Sequence, residues 1–198
     1  MNMKRIGVLV SGGGSNLEAI IEACKSGILK NIAQVCVVVS NKADAYALER
    51  AKKNSIPGVF VNKKDFATSL EFSDAILREL RKHKVELVCL AGFMQKVDTN
   101  LINAFKNRIL NIHPALLPKF GGKGMHGRLV HEAVIAAKES KSGATVHLVD
   151  EHYDHGKIVA QIEVPVLVND TPQALAQRVL KVEHDLYPKA IKVILEDK

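Results

Sequence analysis

A doubly wound α/β fold with a mostly parallel sheet is predicted for this 198-residue chain by three observations. Apolar, β-branched runs recur through the first 112 residues with helical patterns between them, and within each run the apolarity is continuous rather than alternating. Two more such runs follow at hairpin spacing nearer the C-terminal end. Continuous apolar runs mark strands covered on both faces, the situation of parallel strands flanked by crossover helices. Alternation of run and helix is the pattern of a doubly wound sheet.

The elements follow in order. IGVLV (6–10) is the first strand and runs into SGGG. Residues 15–26 carry Leu17, Ile20, Ile21 and Cys24 at helical spacing, with Gly27 at the stop. AQVCVVVS (33–40), PGVFV (57–61), VELVCLA (85–91) and RILNI (108–112) supply further strands, and residues 72–82, with Ile76, Leu77 and Leu80, a helix. Beyond Pro114 a loop with Gly121, Gly122, Gly124 and Gly127 leads into a helix near 129–139. ATVHLVD (144–150) and KIVAQIEVPV (157–166) then add an antiparallel extension to the sheet. Thr171-Pro172 reads as an N-cap with proline at the first helical position, opening a terminal helix expected to break or bend near Tyr187-Pro188. The chain reads as one domain, 1–198, in two halves, 1–100 and 101–198.

Composition narrows the function. With 47% hydrophobic residues the chain can bury a substantial core. The 28 Lys and Arg against 21 Asp and Glu suit an anionic partner. Nucleic acid is disfavoured, because Trp is absent and the basic residues are not interleaved with stacking rings. Three scattered cysteines, Cys24, Cys36 and Cys89, fit reduced core thiols rather than a disulfide framework or a zinc knuckle. The apolar run before the glycines is too short for a signal peptide or a membrane span, so a soluble cytoplasmic protein without membrane association is expected.

Three stretches carry polar residues that folding alone does not require. VLVSGGGSNLEAI (8–20) ends a strand in three glycines and opens a helix, whose free N–H groups and partial positive charge suit a phosphate. Ser15 and Asn16 add donors or cap the helix. The dinucleotide fingerprint fails at Leu17 and no Gly-Lys-Ser/Thr follows, which leaves a monophosphate site or a plain tight turn. In RILNIHPALLPKF (108–120), Asn111 and His113 share one face at a strand's carboxyl end and Pro114 closes it. An amide donor beside an imidazole suits acyl chemistry, and a satisfied polar strand end is the plainer alternative. HLVDEHYDHGKIVAQ (147–161) concentrates His147, Asp150, Glu151, His152, Asp154 and His155. Its spacing lacks a metalloprotease helix or paired cysteines, so no metal is expected, and a carboxylate from this turn orienting His113 accounts for the cluster. In LAGFMQKV (90–97), Gly92 permits a sharp exit, and Phe93 and Met94 either line a pocket for a flat ring or pack in the core.

Taken together, SGGGSNLEAI, SNKADAYALERA, LAGFM, LNIHPALLPKF, TVHLVD with YDHGKIVAQ, and EHDLYP resemble, in order and over nearly the whole chain, the glycinamide ribonucleotide formyltransferases of purine biosynthesis. The resemblance implies the formyltransferase fold and transfer of a formyl group from 10-formyltetrahydrofolate to the amine of 5-phosphoribosylglycinamide. It makes 1–100 the phosphate-binding half and 101–198 the catalytic and folate-binding half. It gives catalysis to Asn111, His113 and Asp154, and raises the His113 pKa through Asp154. It gives the phosphate to Gly14, Ser15 and Asn16, further substrate contacts to Gly92 and Pro114, and the ribose end to Glu183. The folate would lie along Met94, Gln95, Lys96 and Val97 and along Asp150, Glu151, His152 and Tyr153. Members often carry Arg where this chain has Gln95, and the glycine-rich loop 119–127 is longer here. Formyltetrahydrofolate hydrolysis, another formyl acceptor, or a non-catalytic nucleotide-binding module of the same fold are the rival readings. A monomer and a homodimer are equally compatible with the sequence.

Overall fold

The computed structural model describes residues 3–196. Seven strands form one mixed sheet: β1 Lys4–Val10, β2 Ala33–Ser40, β3 Gly58–Phe60, β4 Leu87–Leu90, β5 Ile109–His113, β6 Lys141–Leu148 and β7 Ile158–Pro165, ordered β3-β2-β1-β4-β5-β6-β7. The helices are α1 Ser15–Lys25, α2 Tyr46–Lys53, α3 Ser69–Lys82, α4 Thr99–Ala104, α5 Arg128–Ala136 and α6 Pro172–Glu196. The residues divide into two compact units, one ending at Leu110 and the other beginning at Asn111.

In the N-terminal unit, β1 pairs in parallel with β2 and β4, and β2 in parallel with β3. Ile6, Val8, Leu9 and Val10 are buried, as are Val37, Val38 and Val39 on the neighbouring strand. That is the two-sided burial expected of continuous apolar runs. Helix α1 buries Leu17, Ile20 and Ile21 and closes at Ser26–Gly27, whose N–H groups return to Glu22 and Ala23. Helix α3 starts three residues earlier than its apolar spacing indicated. Thr68 and Glu71 form a reciprocal capping box that fixes the start upstream of the first buried apolar residue, Phe72. Helices α2 and α4, of eight and six residues, carry too few apolar positions to register as a period.

In the C-terminal unit, β6 and β7 form the antiparallel extension that the sequence predicts. Helix α6 packs on β6, β7 and α5. Thr171 Oγ1 accepts from the Ala174 amide and caps it. Of the break or bend expected near Tyr187-Pro188, the break does not occur; α6 is one helix of 25 residues with Pro188 inside it. Proline removes one backbone hydrogen bond, but Tyr187, Pro188, Ala190 and Ile191 are all buried, and that packing holds the turn in place.

Close packing also fixes the β6–β7 turn. A Cβ on Gly156 would stand 1.9 Å from the Leu148 carbonyl oxygen. Gly156→Ala is therefore expected to displace this turn and to cost about 1–3 kcal/mol, the usual range for overpacking, read as a lowered denaturant midpoint. Among the described residues no helix is long and apolar enough to cross a membrane.

Candidate active site and phosphate loop

The candidate site residues fall into two groups, one in each unit. In the C-terminal unit, strand alternation puts Asn111 and His113 on the same face of β5. His113 is buried, Asn111 half-buried. Asp154 comes to them from the β6–β7 turn in a left-handed conformation, φ 52°. Asn111 Nδ2 donates to Asp154 Oδ1 at 3.3 Å, and Asp154 Oδ2 stands 3.5 Å from His113 Nδ1. The Gly122 amide donates to the same Oδ2 at 2.9 Å.

His147, which the sequence left unassigned in its cluster, belongs to this group. Its Nδ1 donates to the Leu148 carbonyl at 2.8 Å, so in the neutral ring Nε2 accepts from Asn111 Nδ2 at 3.1 Å. The signal for it was the alternation in TVHL, which places Thr145 and His147 on one buried face of β6. Thr145 Oγ1 donates to the Ala115 carbonyl and accepts from the Leu117 amide and Gln161 Nε2, which fixes the chain just past His113 and Pro114.

Burial decides the protonation of His113. Loss of water lowers its pKa from 6.5 more than the Asp154 charge and the Phe120 carbonyl raise it. The rise expected from the Asp154 charge is present as a contribution, but desolvation of a nearly sealed ring outweighs it. His113 is neutral at pH 7, its Nε2 donating to the Phe120 carbonyl at 2.8 Å. For Asp154, burial pushes the pKa up, but the His147 contact, the His113 charge and the Gly122 amide together hold it below 3.8. His131, buried on α5, is also lowered, by desolvation and then by the His113 charge.

Both histidine pKa values are depressed in the folded state, so the unfolded chain binds more protons as pH falls. The stability they support is intact above 6.5 and declines as pH drops through the folded values. Thermal midpoints should fall between about pH 7 and about pH 5, and His131→Gln should flatten that slope. An unchanged slope in the variant would exclude His131 from the effect.

The same turn exposes Glu151, His152 and Tyr153 and leaves Asp150 half-buried. Asp150 accepts from His155 Nδ1 at 2.9 Å and from the His152 amide at 2.8 Å. Ligand atoms of Asp150, His152 and His155 lie within 4.8 Å of one another, a grouping that their spacing in the sequence did not suggest. Glu183 is buried on α6.

In the N-terminal unit, β1 ends at Val10 and the glycines carry the chain into α1, with Gly14 as N-cap at φ 72°. Ser15 begins the helix and Asn16 is buried. Ser11, passed over in the sequence, ties this loop to residues 92–94. Its amide donates to the Gly92 carbonyl and its hydroxyl donates to Asn41 Oδ1 at 2.6 Å while accepting from the Met94 amide at 2.8 Å. Gly92 takes φ 73°, which allows the sharp exit from β4. Met94 and Lys96 are exposed, Val97 is buried, and Gln95 Oε1 accepts from Lys63 Nζ at 2.8 Å.

A strand-end amide, imidazole and carboxylate in one buried cluster suit acyl transfer, and a glycine loop opening a helix suits an anion. Comparison with known proteins decides the family. Residues 4–191 match the formyl transferase family. The chain belongs to that family. The chain is 47% identical to "Phosphoribosylglycinamide formyltransferase, chloroplastic" of Vigna unguiculata over 98% of its own length, and it spans 62% of that relative. It is 42% identical to phosphoribosylglycinamide formyltransferase of Haemophilus influenzae, covering 98% of this chain and 88% of that one. Among solved structures it resembles glycinamide ribonucleotide transformylase 1 of Symbiobacterium toebii, with a TM-score of 0.92 and 41% identity over 98% of this chain and 88% of that one. The formyltransferase fold expected from the sequence is borne out.

Proposed function

We propose that the protein transfers the formyl group of 10-formyltetrahydrofolate to the amine of 5-phosphoribosylglycinamide, giving formylglycinamide ribonucleotide and tetrahydrofolate in purine biosynthesis. The observation that carries this reading is the convergence of Asn111 Nδ2 and the His113 imidazole on the Asp154 carboxylate. The names of the relatives support the choice of acceptor.

Attack of the amine on the formyl carbon places negative charge on the formyl oxygen. Asn111 has both amide hydrogens engaged, and the longer contact, to Asp154, is the one exchanged for that oxygen. His113, neutral at rest, takes the proton that the attacking amine loses and returns it to the departing folate nitrogen. The Phe120 carbonyl holds the neutral ring through Nε2, and Asp154, facing Nδ1, stabilises the imidazolium while it exists. The phosphate of the acceptor rests on Gly14, Ser15 and Asn16, with Gly92 and Pro114 as further substrate contacts and Glu183 at the ribose. The pterin is assigned to residues 94–97 and 150–153. The chain is read as cytoplasmic, as a monomer or homodimer, and as independent of metal.

The test is the absorbance change on mixing the protein with both substrates after exhaustive chelation. Formation of tetrahydrofolate that depends on the ribonucleotide is expected. Tetrahydrofolate released equally fast without it would establish a hydrolase, and activity restored only by zinc would return Asp150, His152 and His155 to consideration as ligands.

A further inference from the structure

The glycine loop owes its orientation to a neighbouring helix. The Ala47 amide, in the first turn of α2, donates to the Gly12 carbonyl at 3.1 Å, and Arg50 Nε donates to the Gly13 carbonyl at 2.8 Å. Both peptides are trans, so each N–H points away from the carbonyl it follows. Anchoring the carbonyls of Gly12 and Gly13 on α2 therefore turns the N–H groups of Gly13 and Gly14 away from it. Gly12 and Gly13 are exposed, and a Cβ on either would meet nothing within 4 Å. On Gly14 the Cβ would lie 2.7 Å from the Ala47 Cβ, so the loop sits hard against α2 on one side and is open around its first two glycines.

Arg50 is itself held. Its Nη1 donates to Glu18 Oε2, in the first turn of α1, at 2.7 Å, and its guanidinium lies 5.0 Å from the centre of the Tyr46 ring. One planar group thus clamps the loop carbonyl and the start of the helix together, and its charge is matched by Glu18. The fixed fork of the guanidinium suits this double task, which a lysine ammonium cannot reproduce with the same geometry.

We propose that Arg50 is a positioning residue for the phosphate loop: it sets affinity for the phosphorylated substrate by aiming the loop's amides, without touching the phosphate. This rests on the phosphate assignment above and deepens it, and the experiment separates the two. Inorganic phosphate is titrated as an inhibitor of the wild type and of Arg50→Met and Arg50→Lys, with KM for both substrates, kcat and thermal midpoint recorded for each.

In the wild type, phosphate should compete with the ribonucleotide and not with the folate. Both variants should then weaken phosphate inhibition and raise the ribonucleotide KM by about tenfold, the scale expected when donors to a charged group lose alignment. Their kcat and folate KM should stay within about twofold of the wild type. Absence of competition in the wild type would remove the phosphate site, and the inference with it. Competition in the wild type with unchanged inhibition in both variants would overturn the positioning role alone. Recovery of wild-type inhibition in Arg50→Lys would also overturn it, since charge rather than geometry would then be what matters. Should Arg50→Met fail to fold, Arg50→Lys decides the question.

Discussion

His113→Ala and Asn111→Ala are each expected to lower turnover by a factor on the order of 10² or more, the scale typical of a lost proton-transfer or oxyanion group. Removing the imidazole deletes the buried ring that meets Asp154 and the Phe120 carbonyl. Removing the amide deletes the donor shared by His147 and Asp154. Because both act on one transition state, the double variant should lose less than the product of the single losses. Ribonucleotide affinity, followed separately, should change little. Near-normal turnover in His113→Ala would remove the proposed proton carrier, whatever the family.

Asp154→Asn should lower turnover by something on the order of 10² as well, and it should move the pH profile. Burial and the Asp154 charge act on the His113 pKa in opposite directions, and the first already prevails. With the charge gone nothing comparable opposes desolvation, so the imidazole pKa falls further. The acidic arm of the pH–rate profile reports loss of the neutral base, and it should shift to lower pH. The variant's amide can still accept from Gly122, but its NH₂ would face the Asn111 donor, so a structural cost is expected alongside the electrostatic one. A profile that stays in place, with turnover reduced, would reduce Asp154 to a purely structural role.

By itself the sequence determined the strands, most of the helices and the places where chemistry could sit. Continuous apolar runs report burial on both faces, glycines after β1 report a tight turn into a helix, and the Asn-Ile-His spacing reports a shared strand face; each is a local property of a few adjacent residues. It left open whether Pro188 breaks or bends the last helix, and packing around Tyr187 and Ile191 keeps that helix continuous through the proline. The tertiary structure alone decided how distant residues meet: that His147 shares Asn111 with Asp154, that Ser11 pins residues 92–94, and that Arg50 grips the glycine loop. It also decided the sign of the His113 shift. Charge attraction can be guessed from a nearby carboxylate, but desolvation depends on how completely the folded chain seals the ring from water.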